Sequence, residues 1–298
     1  MATDHSLSHH GRVTLITGAG AGLGAELAES FARARGEVVV NNRHRREGEP
    51  SAEKVARTLR DSGLRAWSDT HAIDDPGAAQ AIVESIEGRH GRLDTLVLNA
   101  GVNGSPGRIS AMDPADLAAV MAVNFFANAS LVQAALPLLE RSSAGRILFV
   151  SSTAGLHGLY GRAHYAASKG ALTAYALTLA AEQRQRGIGV NLLMPYAETA
   201  MTADVDKQII GLFTADMVAP AALWLASPDC AATGEMWIAG GGHFRRAMVV
   251  ETVGVSLARN EMDMLPERTE ALADMNGAQA FKGGLDAFRS VVDAIRTE

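Results

Sequence analysis

The chain has 298 residues, which suits one large α/β domain or such a domain with an appendage. Its 47% hydrophobic and 20% charged residues can fill a core, so a disordered or fibrous chain is excluded. The formal net charge of -6 argues against a nucleic acid or an anionic membrane as partner. The opening residues 1–11 are polar and read as a disordered tail, with His9 and His10 in solvent. A strand is expected at 13–17, ending on glycine, then a helix at 25–34. A strand at 37–41 and a helix at 51–62 follow, the helix placing Val55 and Leu59 on one face. Next come a strand at 66–73, a helix at 78–87, and a strand at 95–98 closed by Asn99-Ala100-Gly101. Residues 114–139 read as one or two long apolar helices, 147–151 as a strand and 163–184 as an Ala-rich helix. A strand at 190–194 stops at Pro195, a helix covers 217–226, and a short strand covers 236–238.

Short apolar strands alternating with helices predict a doubly wound, Rossmann-type parallel sheet with helices on both faces, over residues 12–249. Residues 250–298 change character. They read as a C-terminal helical extension packed on that domain, periodic around 285–295. The single cysteine, Cys230, excludes an internal disulfide and fits a reducing compartment. No uninterrupted apolar run reaches about eighteen residues, so no membrane span is expected. The polar start is unlike a signal peptide and the ending IRTE is not a peroxisomal address, so a cytoplasmic protein is expected.

The first strand runs into Thr17-Gly18-Ala19-Gly20-Ala21-Gly22-Leu23-Gly24, which opens the first helix. Glycines allow the tight turn and let a pyrophosphate approach the backbone, and a helix N-terminus offers free N–H groups. A glycine cluster in isolation also fits a tight loop with no ligand. Tyr165 and Lys169 are four apart on an expected helix, so they share a face. An ammonium about 5 Å from the phenol, at an effective dielectric of about 20, favours the phenolate by roughly 3 kcal/mol. That would bring a tyrosine toward acid–base work. Such a pair taken alone reads first as a surface feature of an amphipathic helix.

The spacing Gly18, Gly22, Gly24 resembles the TGxxxGxG loop of the short-chain dehydrogenase/reductase family, and other motifs recur in order. Asn99-Ala100-Gly101 is similar to the family's NNAG, with Leu98 in place of the first asparagine. Asn124 in AVNFF, Ser152 in SSTAG, Tyr165 and Lys169 resemble its catalytic tetrad, and the serine-to-tyrosine interval of thirteen matches. Ser151 is off by one. The resemblance implies that Tyr165 exchanges a proton with the substrate oxygen and Ser152 steadies that oxygen. It implies that Lys169 holds the nicotinamide ribose and Asn124 holds a water of a proton relay. It also implies cofactor contacts from Gly18, Gly20, Gly22, Leu23, Gly24, Asn99, Ala100, Gly101, Tyr165 and Lys169, and from Pro195 and Thr199 beside the nicotinamide. Tyr196 stands where a glycine is usual.

Members preferring NAD usually carry an aspartate after the second strand; here it is Asn42, followed by Arg43, Arg45 and Arg46. A neutral residue removes repulsion toward a 2′-phosphate and Arg43 can bond it, so NADP(H) is favoured, while NAD(H) remains possible through Asn42. The adenine-side position falls at His71 or Ala72, near Asp74. Stretches such as MVAPAALWLASPDCAATGE and LPERTEALADMNGA look like the dehydrogenase module of peroxisomal multifunctional β-oxidation enzymes, which implies 3-hydroxyacyl-CoA oxidation with NAD. A stand-alone reductase of a small carbonyl or alcohol substrate is an equal reading. A non-catalytic dinucleotide sensor is the alternative of another class. His157, Tyr160 and His164 lie between Ser152 and Tyr165 and read as loop or pocket residues; they lack metal-ligand spacing. No metal is expected. The resemblance implies that the long helices, apolar on more than one face, pair across the interface of a homodimer or homotetramer.

Overall fold

The computed structural model describes residues 7–44, 47–197 and 211–296. Its compact units are residues 1–246 and 247–298. In the first unit, eight strands form one sheet in the order β3-β2-β1-β4-β5-β6-β7-β8. They are β1 (Val13–Ile16), β2 (Glu37–Asn41), β3 (Ala66–Asp69), β4 (Thr95–Leu98), β5 (Arg146–Val150), β6 (Gly189–Pro195), β7 (Met236–Gly240) and β8 (His243–Ala247). Neighbours from β3 through β7 pair in parallel. Every residue of β1, β4 and β5 is buried, as expected of apolar strands covered on both faces. The Rossmann-type fold expected from the sequence is therefore present.

Side chains alternate between the faces. Ile16, Val38, Val40 and Val97 pack with α1 (Gly22–Arg33), α2 (Ser51–Asp61) and a later helix, Ala219–Leu225. On the other face lie α3 (Ala78–His90), α4 (Pro114–Met121), α5 (Asn128–Glu140) and a long helix, Ala163–Gln183, whose Tyr175 meets Phe149 of β5 edge-to-face at 6.2 Å. With the short helix Ala154–His157 as α6, these two become α7 (Ala163–Gln183) and α8 (Ala219–Leu225).

Several boundaries differ from the sequence reading. Helix α1 begins at Gly22, earlier than expected, because glycine's helix penalty matters little in a first turn whose N–H groups are free anyway. Strand β3 stops at Asp69, whose buried carboxylate turns to accept hydrogen bonds from Asn41 and His71. The run 114–139 is two helices joined by a wide π turn, Ala122–Ala127. By length and composition alone that run, Pro114–Glu140, could cross a membrane, with a mean hydropathy of 1.5 over an eighteen-residue window, although Asn124, Asn128 and Gln133 interrupt its apolar sequence. It packs against α3, α7 and β4 within the helical layer. Strand β8 was not foreseen. Its HFRRA sequence is mostly exposed, and Gly241-Gly242, with φ of +57° and +72°, makes the two-residue reversal before it.

His9 is not in solvent. It is fully buried, its ring 4.7 Å from that of Phe31 and its Nε2 3.1 Å from the Leu223 carbonyl. Burial brings its pKa from 6.5 down to about 4. The unfolded chain therefore takes the proton first. His9's stabilising contribution is whole above pH 6.5 and is lost as pH falls from 6.5 to 4, a span of about 3 kcal/mol. His90, also lowered by burial, acts in the same direction. Urea midpoints at pH 7.5 and 4.5 should show this loss, and His9→Leu, which keeps the packing on Phe31, should flatten it. An equally steep loss in that variant would exclude His9 as the source.

The second unit holds α9 (Thr269–Ala273) and α10 (Gly284–Arg296). Leu285, Phe288, Val291 and Ile295 line one side of α10, and none of its described residues is buried.

Candidate active site

Strand order reverses between β1 and β4, so a crevice opens at their carboxyl ends. The two strands are stitched together there. Thr17 Oγ1 accepts the N–H groups of Asn99 and Ala100, each at 3.1 Å, and Asn99 Nδ2 donates to the Thr17 carbonyl at 2.9 Å. Gly18 has φ +66°, and a Cβ on it would stand 2.8 Å from Ala100 Cα; one on Gly24 would stand 2.4 Å from the Gly18 carbonyl oxygen. The loop is thus folded tightly against the Asn99-Ala100-Gly101 segment. Gly22 and the buried Leu23 open α1, and no side chain caps its first turn. Free N–H groups behind a backbone-lined cradle fit the diphosphate of a dinucleotide.

Gly20 serves another purpose. A Cβ there would lie 2.3 Å from Asn42 Nδ2 and 2.4 Å from Ser51 Oγ. Asn42 donates to Ser51 Oγ at 2.7 Å, so the residue after β2 is tied to the first turn of α2. Arg43 is exposed beside it. Ser51 was read from the sequence only as the start of a helix. Arg45, Arg46 and Thr199 lie outside the described residues. Pro195 ends β6, opposite Ala239. His71 and Ala72 follow β3, and Asp69 is the buried carboxylate there, bonded to Asn41 Nδ2 at 2.6 Å.

Ser152 follows β5. Its Oγ accepts the Ala154 N–H at 3.1 Å, and its hydroxyl is near enough to the Tyr165 phenol to favour the phenolate. Ser151 points elsewhere, bonding Thr173 Oγ1 at 3.0 Å and the Lys169 carbonyl. Tyr165 and Lys169 stand one turn apart on α7. The Lys169 ammonium is buried, 5.8 Å from the Tyr165 ring centre, and donates to the Val150 carbonyl at 2.8 Å. A Cβ on Gly101 would be 3.5 Å from Lys169 Nζ and 3.2 Å from Asn124 Oδ1. The tetrad therefore adjoins the wall of the glycine-lined crevice.

Asn124 sits in the π turn. Its Oδ1 accepts the Val102 N–H at 2.7 Å, and its Nδ2 donates to the Val102 carbonyl and Ser168 Oγ, both at 2.9 Å. Its own carbonyl accepts from Asn128 Nδ2 at 2.9 Å. Asn128 and Ser168 were missed in the sequence reading, although Asn128 is four residues on from Asn124 and so shares its face. Both amide hydrogens of Asn124 are engaged, so it can meet a water only as an acceptor, through its oxygen lone pairs.

The electrostatics differ from the sequence expectation. Burial holds the Tyr165 phenol above its ordinary value, with the Ser152 hydrogen bond acting the other way. Burial likewise brings Lys169 down to about 8. Desolvation outweighs the attraction that the sequence spacing suggested, because the ammonium is turned onto the Val150 carbonyl.

The sequence model described as short chain dehydrogenase matches residues 12–209. The chain is 30% identical over 275 residues to a short-chain type dehydrogenase/reductase of Mycobacterium tuberculosis, covering 90% of this chain and 96% of that one. It is 30% identical over 284 residues to the peroxisomal multifunctional enzyme type 2 of Mus musculus, covering 91% of this chain and 38% of that enzyme. This chain therefore spans well under half the length of that relative. A short chain dehydrogenase from Shigella flexneri, solved in complex with NADP, superposes with a TM-score of 0.71 at 31% identity, over 78% of this chain and 98% of its own. A 7α-hydroxysteroid dehydrogenase solved with NADH superposes at 0.72 and 27% identity, over 81% of this chain and 98% of its own.

Proposed function

This chain belongs to the short chain dehydrogenase family of oxidoreductases, and we propose that it reduces a small carbonyl compound to the alcohol at the expense of NADPH, with Tyr165 as the acid. The observation that carries the reading is the junction of Ser152, Tyr165 and Lys169 beside Gly101, on the wall of the glycine-lined crevice. The dinucleotide, when bound, supplies the hydride to the carbonyl carbon. Ser152 donates a hydrogen bond to the carbonyl oxygen and Tyr165 gives that oxygen its proton. A phenol held protonated by burial is suited to the acid's task in reduction. Lys169 holds a ribose, and the Asn124 carbonyl carries the relay water that restores the proton.

Asn42 and Ser51, with Arg43 beside them, would face the adenosine ribose. A neutral, hydrogen-bonding floor with an adjacent guanidinium favours a 2′-phosphate. Exposed Leu159 and Tyr160 on the 152–165 loop, and Tyr196 bonded to Thr153 at 2.9 Å, favour an apolar substrate body. The likeness to the mouse peroxisomal enzyme over 91% of this chain favours a second reading, a 3-hydroxyacyl-CoA dehydrogenase. The loss of NADPH absorbance with a panel of apolar ketones and 3-ketoacyl-CoA thioesters tests both. Turnover of ketones but not thioesters supports the first reading. Thioester turnover with NADH at least equal to NADPH supports the second.

A homo-oligomer is part of the proposal. The helical layer of α4, α5 and α7 leaves much of an apolar run exposed, including Phe126 at 59%. Light scattering should give a multiple of 31.3 kDa. A particle of that mass alone, at micromolar concentration, would refute the assembly.

A further inference from the structure

His164, next to the tyrosine in sequence, is 1% exposed and both of its ring nitrogens are engaged. We propose that His164 is a positioning residue, whose imidazole clamps the Tyr165 backbone to the loop 102–105 and so fixes where the phenol stands. The inference rests on the oxidoreductase reading above for its kinetic arm.

The need for such a clamp follows from the start of α7. The first N–H groups of a helix lack intrahelical acceptors, and the residue before α7, Arg162, makes no side-chain cap. His164 supplies one from inside the first turn: its Nδ1 accepts the Tyr165 N–H at 2.7 Å. A nitrogen that accepts carries no proton, so the proton is on Nε2, which donates to the Ser105 carbonyl at 2.7 Å. Asp116, in the first turn of α4, completes the arrangement. Its Oδ2 accepts the Ser105 N–H at 2.7 Å and lies 3.3 Å from His164 Nε2.

The ring occupies space that the loop was shaped to leave. Gly104 has φ +65°, and a Cβ there would lie 2.7 Å from His164 Nε2. Arg162 reinforces the contact by donating to the Gly104 carbonyl at 2.7 Å. The same loop is held at its other end by Asn124, through both backbone groups of Val102. A continuous path thus joins the π turn to the backbone of the tyrosine, and His164 is its last link.

The test uses the full chain with His164→Ala and His164→Asn. Asparagine Oδ1 stands the same number of bonds from the backbone as His Nδ1, so it can cap Tyr165, but asparagine cannot reach Ser105. We expect His164→Ala to lower kcat for the best ketone ten- to a hundredfold, with KM and the Kd for NADPH within twofold of the parent. His164→Asn, which keeps the cap and loses the tie to Ser105, should recover only part of that kcat. Amide exchange followed by mass spectrometry gives an arm free of activity: residues 102–108 should exchange faster in both variants, and the start of α7 only in His164→Ala. The proposal is overturned if His164→Ala keeps its kcat, if His164→Asn recovers the parent kcat in full, or if exchange at 102–108 is unchanged in His164→Asn. That last result decides even where His164→Ala does not fold. Absence of turnover in the parent would instead sink the oxidoreductase reading, and exchange alone would then judge the clamp.

Discussion

Replacing Tyr165 by Phe should lower kcat for ketone reduction by about 10²–10⁴-fold while leaving NADPH affinity within a few-fold of the parent. The range is that of a positioned general acid. The variant removes one oxygen from a buried ring and leaves the rest of α7 intact. The phenol neighbours the Ser152 hydroxyl, and the Lys169 ammonium is anchored independently on the Val150 carbonyl. Ser152 should therefore be left with its Ala154 bond, and Lys169 should not move. The pH profile offers a second check on the same group. Because burial raises the phenol's pKa, reduction should be flat through neutrality and fall only in alkaline solution, as the acid loses its proton. Oxidation, which needs the phenolate, should rise with pH over the same range. Stopped-flow absorbance at the reduced-cofactor band measures both directions. A Tyr165→Phe enzyme that reduces ketones within tenfold of the parent would rule out the tyrosine as acid.

Asn42→Asp should turn the cofactor preference from NADPH toward NADH by ten- to a hundredfold in kcat/KM. Two unit charges about 4 Å apart, at an effective dielectric of about 20, repel by about 4 kcal/mol, and solvent screening leaves part of that. A tenfold change needs only about 1.4 kcal/mol. The fold should tolerate the substitution. The side chain keeps its shape, and the Ser51 hydroxyl, which now accepts from Asn42 Nδ2, can instead donate to the carboxylate. An aspartate there would also be suited to the ribose hydroxyls of NAD. Steady-state kinetics with both cofactors at one ionic strength decides it. A parent that already uses NADH better than NADPH would contradict the proposed preference, and an unchanged ratio in the variant would remove Asn42 from cofactor choice.

The fold was legible because buried parallel strands write themselves as apolar runs. VTLI, TLVL and RILFV admit little else, and each became a fully buried strand. What escaped was set by contacts distant in sequence. His9 looks like a tail residue until Phe31 and Leu223 close over it. The turn inside 114–139 leaves no break in hydropathy, since both halves are equally apolar. Strand β8 has an exposed, charged sequence and is held by its reversal and not by burial. The tetrad's order could be read from spacing, and the structure brings those residues to one place. Their charge states could not be read that way. A spacing of four residues gives proximity, whereas the Val150 carbonyl and the depth of burial decide where the ammonium points and how acidic the phenol becomes.

The π turn at Ala122–Ala127 sets an angular constraint on any descendant of this sequence. Each α-helical residue advances the chain by about 100°. Removing one codon from that turn would let Pro114–Glu140 relax into a single regular spiral and swing one half against the other by roughly that amount. Either Asn124 would leave Val102, or the hydrophobic seam of α5 would rotate off the layer beneath it. Drift at this locus is therefore expected to exchange letters while conserving their number.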